Sequence, residues 1–177
     1  MSGVFFKLTL KDGSTKEVLR GTTVGDVIKS ISEGLYRNAV GASINGALVD
    51  LRDEVQTDGS FVALTVSDPE GLEIYRHTAA HVLAQAVRTL FPDAKLAIGP
   101  ATATGFYYDF DVSGGIKEDD FARIEAEMSA IIKKDLPIKK EDVAKKDAYA
   151  LFTRRDEPYK LQLLDDIVAD TVSVYSQ

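Results

Sequence analysis

The chain has 177 residues, of which 45% are hydrophobic and 28% charged, and its formal net charge is −7. This length and composition suffice for one compact domain or two small ones, and they exclude a chain that is disordered by composition. The acidic balance argues against general binding to nucleic-acid backbones, because that affinity comes mainly from neutralised phosphates. With no cysteine in the sequence, disulfides, a thiol nucleophile and a cysteine-ligated zinc site are excluded within these residues.

No apolar run approaches the roughly 20 residues that a membrane-spanning helix requires. The sequence MSGVFFKLTLKDG at the N-terminus lacks a basic segment followed by a long apolar one. We therefore expect neither a membrane span nor a secretory signal peptide.

Residues 1–66 are predicted to form a β-grasp domain. Two hairpin signals, Asp12-Gly13 and Asn45-Gly46, separate short runs of β-forming residues. Thr22 or Thr23 can cap a helix that we expect to run through about Ser32, with Gly34 as its stop signal. Strands are predicted at 4–10, 15–20, 39–44, 47–50 and 61–66. This order places one helix across a mixed sheet.

Residues 67–71 read as a linker, and 72–177 as a second, α+β domain. Helical periodicity predicts helices at 72–91, 118–134, 144–155 and 158–167. Strands or extended segments are predicted at 95–98, 104–112, 136–143 and 172–175. In the second helix, the predicted core face consists of Phe121, Ile124, Met128, Ile131 and Ile132.

The two histidines, His77 and His81, lie four residues apart on the first of these helices. Residues at this spacing share a helix face and can touch one water or one ligand. Their face lies opposite the apolar stripe that includes Leu83, Val87 and Leu90, so burial in the main core of this helix is not expected. The spacing alone leaves three interpretations open: two solvated surface histidines, a catalytic or hydrolytic pair, and part of a metal site. A zinc site needs about four ligands, and the pair supplies two.

Beyond the histidines, several segments of the second domain resemble threonyl-tRNA synthetases (threonine–tRNA ligases). The similar segments are YRHTAAHVLAQAV at 75–87, LFP at 90–92, AIGP at 97–100, GFYYDFD at 105–111 and EPYK at 157–160. In the first domain, LTLKDG at 8–13 and ING at 44–46 resemble the TGS domain of that family, which is a β-grasp. The resemblance therefore covers nearly the whole chain, with 72–177 corresponding to the editing domain.

In that family the editing domain hydrolyses serine that has been attached to threonine tRNA by mistake. Serine and threonine differ by one methyl group, which binding alone distinguishes by only about 1–3 kcal/mol, so a second selection step is useful. The resemblance implies a pocket that admits serine and clashes with the threonine methyl group. It also implies a role for each of four residues of this chain.

By their motifs, His77 and His81 are the implied catalytic pair. One of them would position or activate the attacking water and handle the proton of the ribose hydroxyl, as suits an imidazole. Lys160 would supply positive charge near the developing oxyanion or the leaving oxygen. Tyr108 would shape the pocket and contact the substrate.

The resemblance further implies that the partner is threonine tRNA, through its aminoacylated 3′ end, and that the location is the cytoplasm. The full-length enzymes use ATP and zinc in a catalytic domain that these residues do not include, so no cofactor and no metal is expected here. Those enzymes are homodimers, which leaves a monomer open for this chain.

One element of the family pattern is missing. After the terminal strand, the family has a Cys-x-x-x-His segment that completes the editing pocket, and this sequence contains no cysteine. We therefore expect a fragment of the longer enzyme, with the editing domain truncated before that segment. Such a fragment should keep the fold but hydrolyse serine esters poorly or not at all.

Two other interpretations remain. TGS-like β-grasp domains also accompany GTPases and guanosine-tetraphosphate synthetases, where they resemble regulatory or RNA-contacting units. This chain could accordingly be a non-catalytic binding module. A metalloprotein built on His77 and His81 is the third interpretation, although we expect no stoichiometric zinc.

Overall fold

A computed structural model describes residues 4–137 and 139–176. Contacts between Cα atoms divide the chain into two units, Met1–Arg76 and His77–Gln177. The predicted domain ranges include residues 1–3, 138 and 177, which lie outside the described residues.

The first unit contains the helix and the mixed sheet that the sequence predicts. Its elements are β1 (Phe5–Thr9), β2 (Thr15–Leu19), α1 (Val24–Ile31), α2 (Glu33–Asn38), β3 (Ala39–Ile44), β4 (Ala47–Val49) and β5 (Gly59–Thr65). The five strands form one sheet in the order β2-β1-β5-β3-β4. β1 and β5 are parallel, whereas the other neighbouring pairs are antiparallel. This topology confirms the predicted β-grasp.

The core of this unit lies between α1 and the sheet. Burying such apolar side chains is the main stabilising contribution, at about 25 cal/mol per Å² removed from water. The fully buried side chains of this core are Leu8 and Phe61 from the sheet, Val24, Val27 and Ile28 from α1, and Val55 from the loop between β4 and β5. The alternation in the strands and the helical spacing in α1 bring the residues of these two layers to one interior.

Both predicted hairpin turns are confirmed, and the side chain of Asn45 in the second turn also forms hydrogen bonds to the start of β5. Asn45 and Gly46 have φ angles of 53° and 83°, the left-handed backbone that a two-residue turn between β3 and β4 requires. The Asn45 side chain also donates to the Asp58 carbonyl and accepts from the Ser60 amide, each at 2.9 Å. The turn is thereby tied to the start of β5.

The first helix ends within one residue of its predicted end at Ser32, but the reason is a cap and not the glycine. α1 ends at Ile31 because Ser32 is extended, with φ −163° and ψ 128°. The Ser32 hydroxyl then accepts from the Leu35 amide and caps α2. Gly34, the expected stop, lies inside this second helix, which the sequence analysis did not predict.

The predicted linker at 67–71 is wrong for its last three residues, because α3 (Pro69–Leu90) begins at Pro69. Proline is favourable in a first helical turn, where its missing N–H would have no partner. The Asp68 carboxylate accepts from the amide and the hydroxyl of Thr65, at 2.8 and 2.9 Å. Gly71 fits this close approach, since a Cβ there would lie 2.0 Å from the Thr65 carbonyl oxygen.

The second unit combines helices with two small antiparallel sheets, which confirms the α+β class. Besides the C-terminal part of α3, its elements are β6 (Lys95–Leu96), β7 (Phe110–Asp111), α4 (Glu118–Lys134), β8 (Lys139–Ala144), α5 (Lys145–Arg154), α6 (Pro158–Asp166) and β9 (Thr171–Ser176). β6 pairs with β7, and β8 pairs with β9.

Two apolar clusters stabilise this unit. The first joins α3 to α4 through buried residues that include Ala86, Val87, Ile124 and Ile131. The second joins α5, α6 and β9 through Ala148, Leu164 and Val172. No helix among the described residues is long and apolar enough to cross a membrane.

Two details of the second unit differ from the prediction. The strand expected at 104–112 is reduced to the two residues of β7, although Asp109 still exchanges backbone hydrogen bonds with Ala97 and Ile98. Pro100 lies two residues after Ile98 and offers no N–H with which to extend this ladder. In α4, Phe121 and Ile132 were expected in the core but are 54% and 63% exposed, because the buried stripe is narrower than the run of apolar residues.

Candidate functional site

The site begins with the polar face of α3. His77, His81, Gln85 and Arg88 recur there at spacings of three and four residues, which align side chains on one side of a helix. The opposite face of α3 packs into the core through Val87 and its neighbours. Ala84 and Ala80 lie on the histidine side and are buried, and their small side chains leave space beside the rings.

The two imidazole rings contact each other directly. The Nε2 atoms of His77 and His81 are 3.1 Å apart, and the rings are nearly perpendicular, with centroids separated by 4.6 Å. At this distance one Nε2 carries the proton and donates while the other accepts. His77 is exposed, whereas His81 is half-buried.

Burial lowers the pKa of His81 below its ordinary value of 6.5, and the neighbouring His77 and Lys160 lower that pKa further. All three causes disfavour the imidazolium form. His81 is therefore a neutral imidazole at neutral pH and can accept a proton from water.

His81 opens onto a cavity of about 410 Å³ in the second unit. Tyr108 and Lys160, which are far from His81 in sequence, line the same cavity. His77 is not among the lining residues and reaches the cavity only through His81. The remaining lining residues are Ala84, Gln85, Arg88, Leu96, Phe152, Arg155, Ser173, Val174, Tyr175 and Ser176.

Tyr108 forms one wall of the cavity and is fixed on both sides. Its ring stacks on Phe110, with centroids 4.8 Å apart and planes inclined by 17°. Gly99 lies against it so closely that a Cβ at that position would be 2.0 Å from the Tyr108 Cδ2. Burial, and then the charge of Glu157, raises the pKa of the Tyr108 hydroxyl, which therefore stays protonated at neutral pH.

Lys160 lies in the segment 155–160, which joins α5 to α6 and includes the first turn of α6, and its ammonium group lies 5.4 Å from the centroid of the Phe152 ring. Burial lowers its pKa, Glu157 opposes this shift, and Arg88 and Arg155 add to it.

The position of this segment is fixed by contacts to other elements. Glu157 pairs with Arg88 of α3, and Asp156 pairs with Lys95 of β6. The Tyr159 hydroxyl donates to Asp111 of β7 at 3.0 Å. Three side chains that flank Lys160 in sequence are thus held by three different elements.

Three residues of the site, Arg88, Arg155 and Glu157, were not predicted from the sequence. Glu157 is 2% exposed, and its carboxylate forms an ion pair with Arg88. The available signals were weak: Arg88 shares the histidine face of α3, and Glu157 opens the EPYK segment. Neither signal shows that these two residues meet, because 69 positions separate them.

Within residues 4–137 and 139–176 there is no group of three or more histidine, cysteine, aspartate or glutamate side chains that could hold a metal ion. His77 and His81 provide two nitrogen ligands, and a closed zinc site needs about four. The charged groups that surround His81 in the cavity are instead cationic.

We expect a ring-proton NMR titration to give His81 a midpoint below 6.5, because burial disfavours its charged form. His77→Ala and Lys160→Met should each raise that midpoint, while Lys146→Met, a charge change outside the cavity, should not. Since the folded-state pKa is depressed, the folded chain binds fewer protons than the unfolded chain in this range. Its stability should thus fall as the pH decreases from about 6.5 through the folded pKa. A midpoint that neither cavity variant moves would contradict this assignment.

Comparison with known proteins gives two findings. Residues 6–60 match the family model of the TGS domain. The chain is 50% identical to the threonine–tRNA ligase of Desulforamulus reducens over 172 residues. These aligned residues make up 97% of this chain and 27% of that protein.

Similar relatives are the threonine–tRNA ligases of Caldanaerobacter subterraneus subsp. tengcongensis and of Clostridioides difficile. Both are 45% identical to this chain, the first over 96% of its length and the second over 97%. The chain spans 27% of the length of each of these relatives.

Proposed function

We propose that this chain, which corresponds to the N-terminal region of threonine–tRNA ligases, binds the aminoacylated 3′ end of threonine tRNA and acts on the ester of wrongly attached serine. The proposal is supported by one observation above all. A neutral imidazole, a half-buried ammonium group and a protonated phenol converge on one cavity from distant parts of the sequence. The proposal includes a cytoplasmic location, as expected from the resemblance.

These groups suit the hydrolysis of an ester. In the proposed reaction, His81 takes a proton from water as the water oxygen attacks the ester carbonyl carbon. The ammonium group of Lys160 stabilises the negative charge that develops on the carbonyl oxygen. The bond between that carbon and the ribose oxygen then breaks, and the proton passes to the ribose oxygen. The products are free serine and a tRNA with a free terminal hydroxyl.

His77 assists this step through His81. A hydrogen bond between the two Nε2 atoms fixes the tautomer and the ring orientation of His81. Tyr108 bounds the space for the amino-acid side chain, and its position against Gly99 and Phe110 leaves the ring little freedom to move aside. A rigid wall of this kind can reject an additional methyl group.

The 177 residues contain no cysteine and therefore no Cys-x-x-x-His segment. We accordingly expect this chain to release serine from threonine tRNA more slowly than a relative that carries both histidine segments. Binding of the substrate is consequently a more direct test of the site than turnover.

The test uses the amide of serine with 3′-amino-3′-deoxyadenosine, an analogue of the tRNA end that cannot be hydrolysed. We expect this analogue to bind about tenfold or more tightly than the threonyl amide, as one methyl group allows. His81→Ala and Lys160→Met should weaken binding, and Lys146→Met should not. The affinities can be measured by calorimetry, with NMR shifts to locate the site.

Equal affinity for the seryl and threonyl amides would contradict the proposal. So would NMR shifts confined to residues 4–65, which would favour the interpretation as a non-catalytic β-grasp binding module.

A further inference from the structure

In the segment that carries Lys160, the positive side chains line the cavity and the negative side chains lie outside it. The segment reads Arg155, Asp156, Glu157, Pro158, Tyr159, Lys160. Its two cations line the cavity. Its two carboxylates do not, because Asp156 pairs with Lys95 and Glu157 is buried against Arg88. A segment of mixed charge thus presents only positive charge to the cavity.

Arg88 adds a third cation to the same cavity. Its Nη1 pairs with Glu157, but a guanidinium has five N–H donors, and the Arg88 side chain is 41% exposed. Among the described residues that line the cavity there is no carboxylate. Within the same part of the chain, neither Arg155 nor Lys160 forms an ion pair. In a chain of net charge −7, this is a local excess of positive charge.

Unpaired cations at one cavity favour an anionic ligand, because like charges held together repel one another until an anion neutralises them. This repulsion from both arginines lowers the pKa of Lys160. Arg155 is exposed and the side chain of Arg88 is 41% exposed, so both can donate N–H groups to a phosphate.

Resting on the function proposed above, we infer that Arg155, assisted by Arg88, binds the 5′-phosphate of the terminal nucleotide whose ester lies beside His81. The ester and the 5′-phosphate of one nucleotide lie on opposite sides of the same ribose. Arg88 follows His81 by seven residues on α3, which places their backbones about 10 Å apart along the helix axis. The cavity therefore has a reactive end at His81 and a phosphate end at Arg88 and Arg155.

The test compares two probes, the seryl amide of 3′-amino-3′-deoxyadenosine and the same compound carrying a 5′-phosphate. We expect the phosphorylated probe to bind about tenfold or more tightly, since charge-assisted hydrogen bonds to a phosphate exceed neutral ones. Arg155→Gln should remove most of this advantage, so that the two probes bind with similar affinity. The advantage should also shrink at high salt.

Arg154→Gln is the matched control, because it removes the same charge one residue away, at a position that does not line the cavity. An equal loss in this variant would overturn the inference by showing that net charge alone is responsible. Inorganic phosphate is the third probe, and an affinity equal to that of the phosphorylated nucleotide would identify a site for free anions instead of a tRNA end. Equal binding of the two seryl probes would overturn the phosphate subsite and leave the proposed function standing. A failure of both to bind would overturn the proposed function as well.

Discussion

Gly99→Ala is expected to weaken the affinity for the seryl analogue about tenfold or more. It should also lower the free energy of unfolding of the second unit by about 1–3 kcal/mol. The added Cβ would lie 2.0, 2.6 and 2.7 Å from the Cδ2, Cε2 and Cγ atoms of Tyr108. The ring cannot retreat without leaving its stack on Phe110. Calorimetry of analogue binding and urea unfolding would measure the two effects.

Gly105→Ala is the matched control for this substitution. A Cβ at Gly105 meets no heavy atom within 4 Å, so we expect unchanged binding and unchanged or slightly higher stability. Combining Gly99→Ala with Tyr108→Leu should cost less stability than the sum of the two single changes, because both act on one contact. Normal binding by Gly99→Ala would show that Tyr108 is not a wall of the substrate site.

The β-grasp could be predicted because its determinants are local. The hairpin at Gly13 and the turn at Asn45 are specified by residues that favour left-handed backbone, and Thr23 caps α1 as expected. Gly34 shows where local signals fail. Glycine often follows the end of a helix. Here the hydroxyl of Ser32 caps a new helix that begins at Glu33, so Gly34 lies inside that helix.

The candidate site was only partly predictable. The spacing of His77 and His81 placed them on one face of a helix, and in the structure their Nε2 atoms lie 3.1 Å apart. No local pattern distinguishes Lys160 or Tyr108 from ordinary residues, and both came from the resemblance alone. The role of Glu157 could not be predicted, because the stability of a buried carboxylate depends on a partner 69 positions away.

A second large effect on stability is expected when the ion pair between Arg88 and Glu157 is broken. Arg88→Met should destabilise the chain by about 3 kcal/mol, because it leaves a carboxylate whose side chain is only 3% exposed without its ionic partner. One oxygen of that carboxylate, Oε2, already has no hydrogen-bond partner within the part of the chain that is described. Glu157→Gln should cost less, since the Arg88 side chain is 41% exposed and water can solvate it. Urea unfolding of each variant would measure both costs.

The double variant, Arg88→Met with Glu157→Gln, should be more stable than Arg88→Met alone, because the uncompensated charge is gone.

Glu157→Gln should also change the pH dependence of binding, which a purely structural role of Glu157 would not produce. Glu157 is the one group that raises the pKa of Lys160, against the lowering by burial and by the two arginines. Removing its charge should therefore lower that pKa, so that binding of the seryl analogue is lost at a lower pH than in the parent chain. If the upper limb of the pH profile stays where it is, Glu157 does not act through Lys160, and the charge of the cavity is set by other groups.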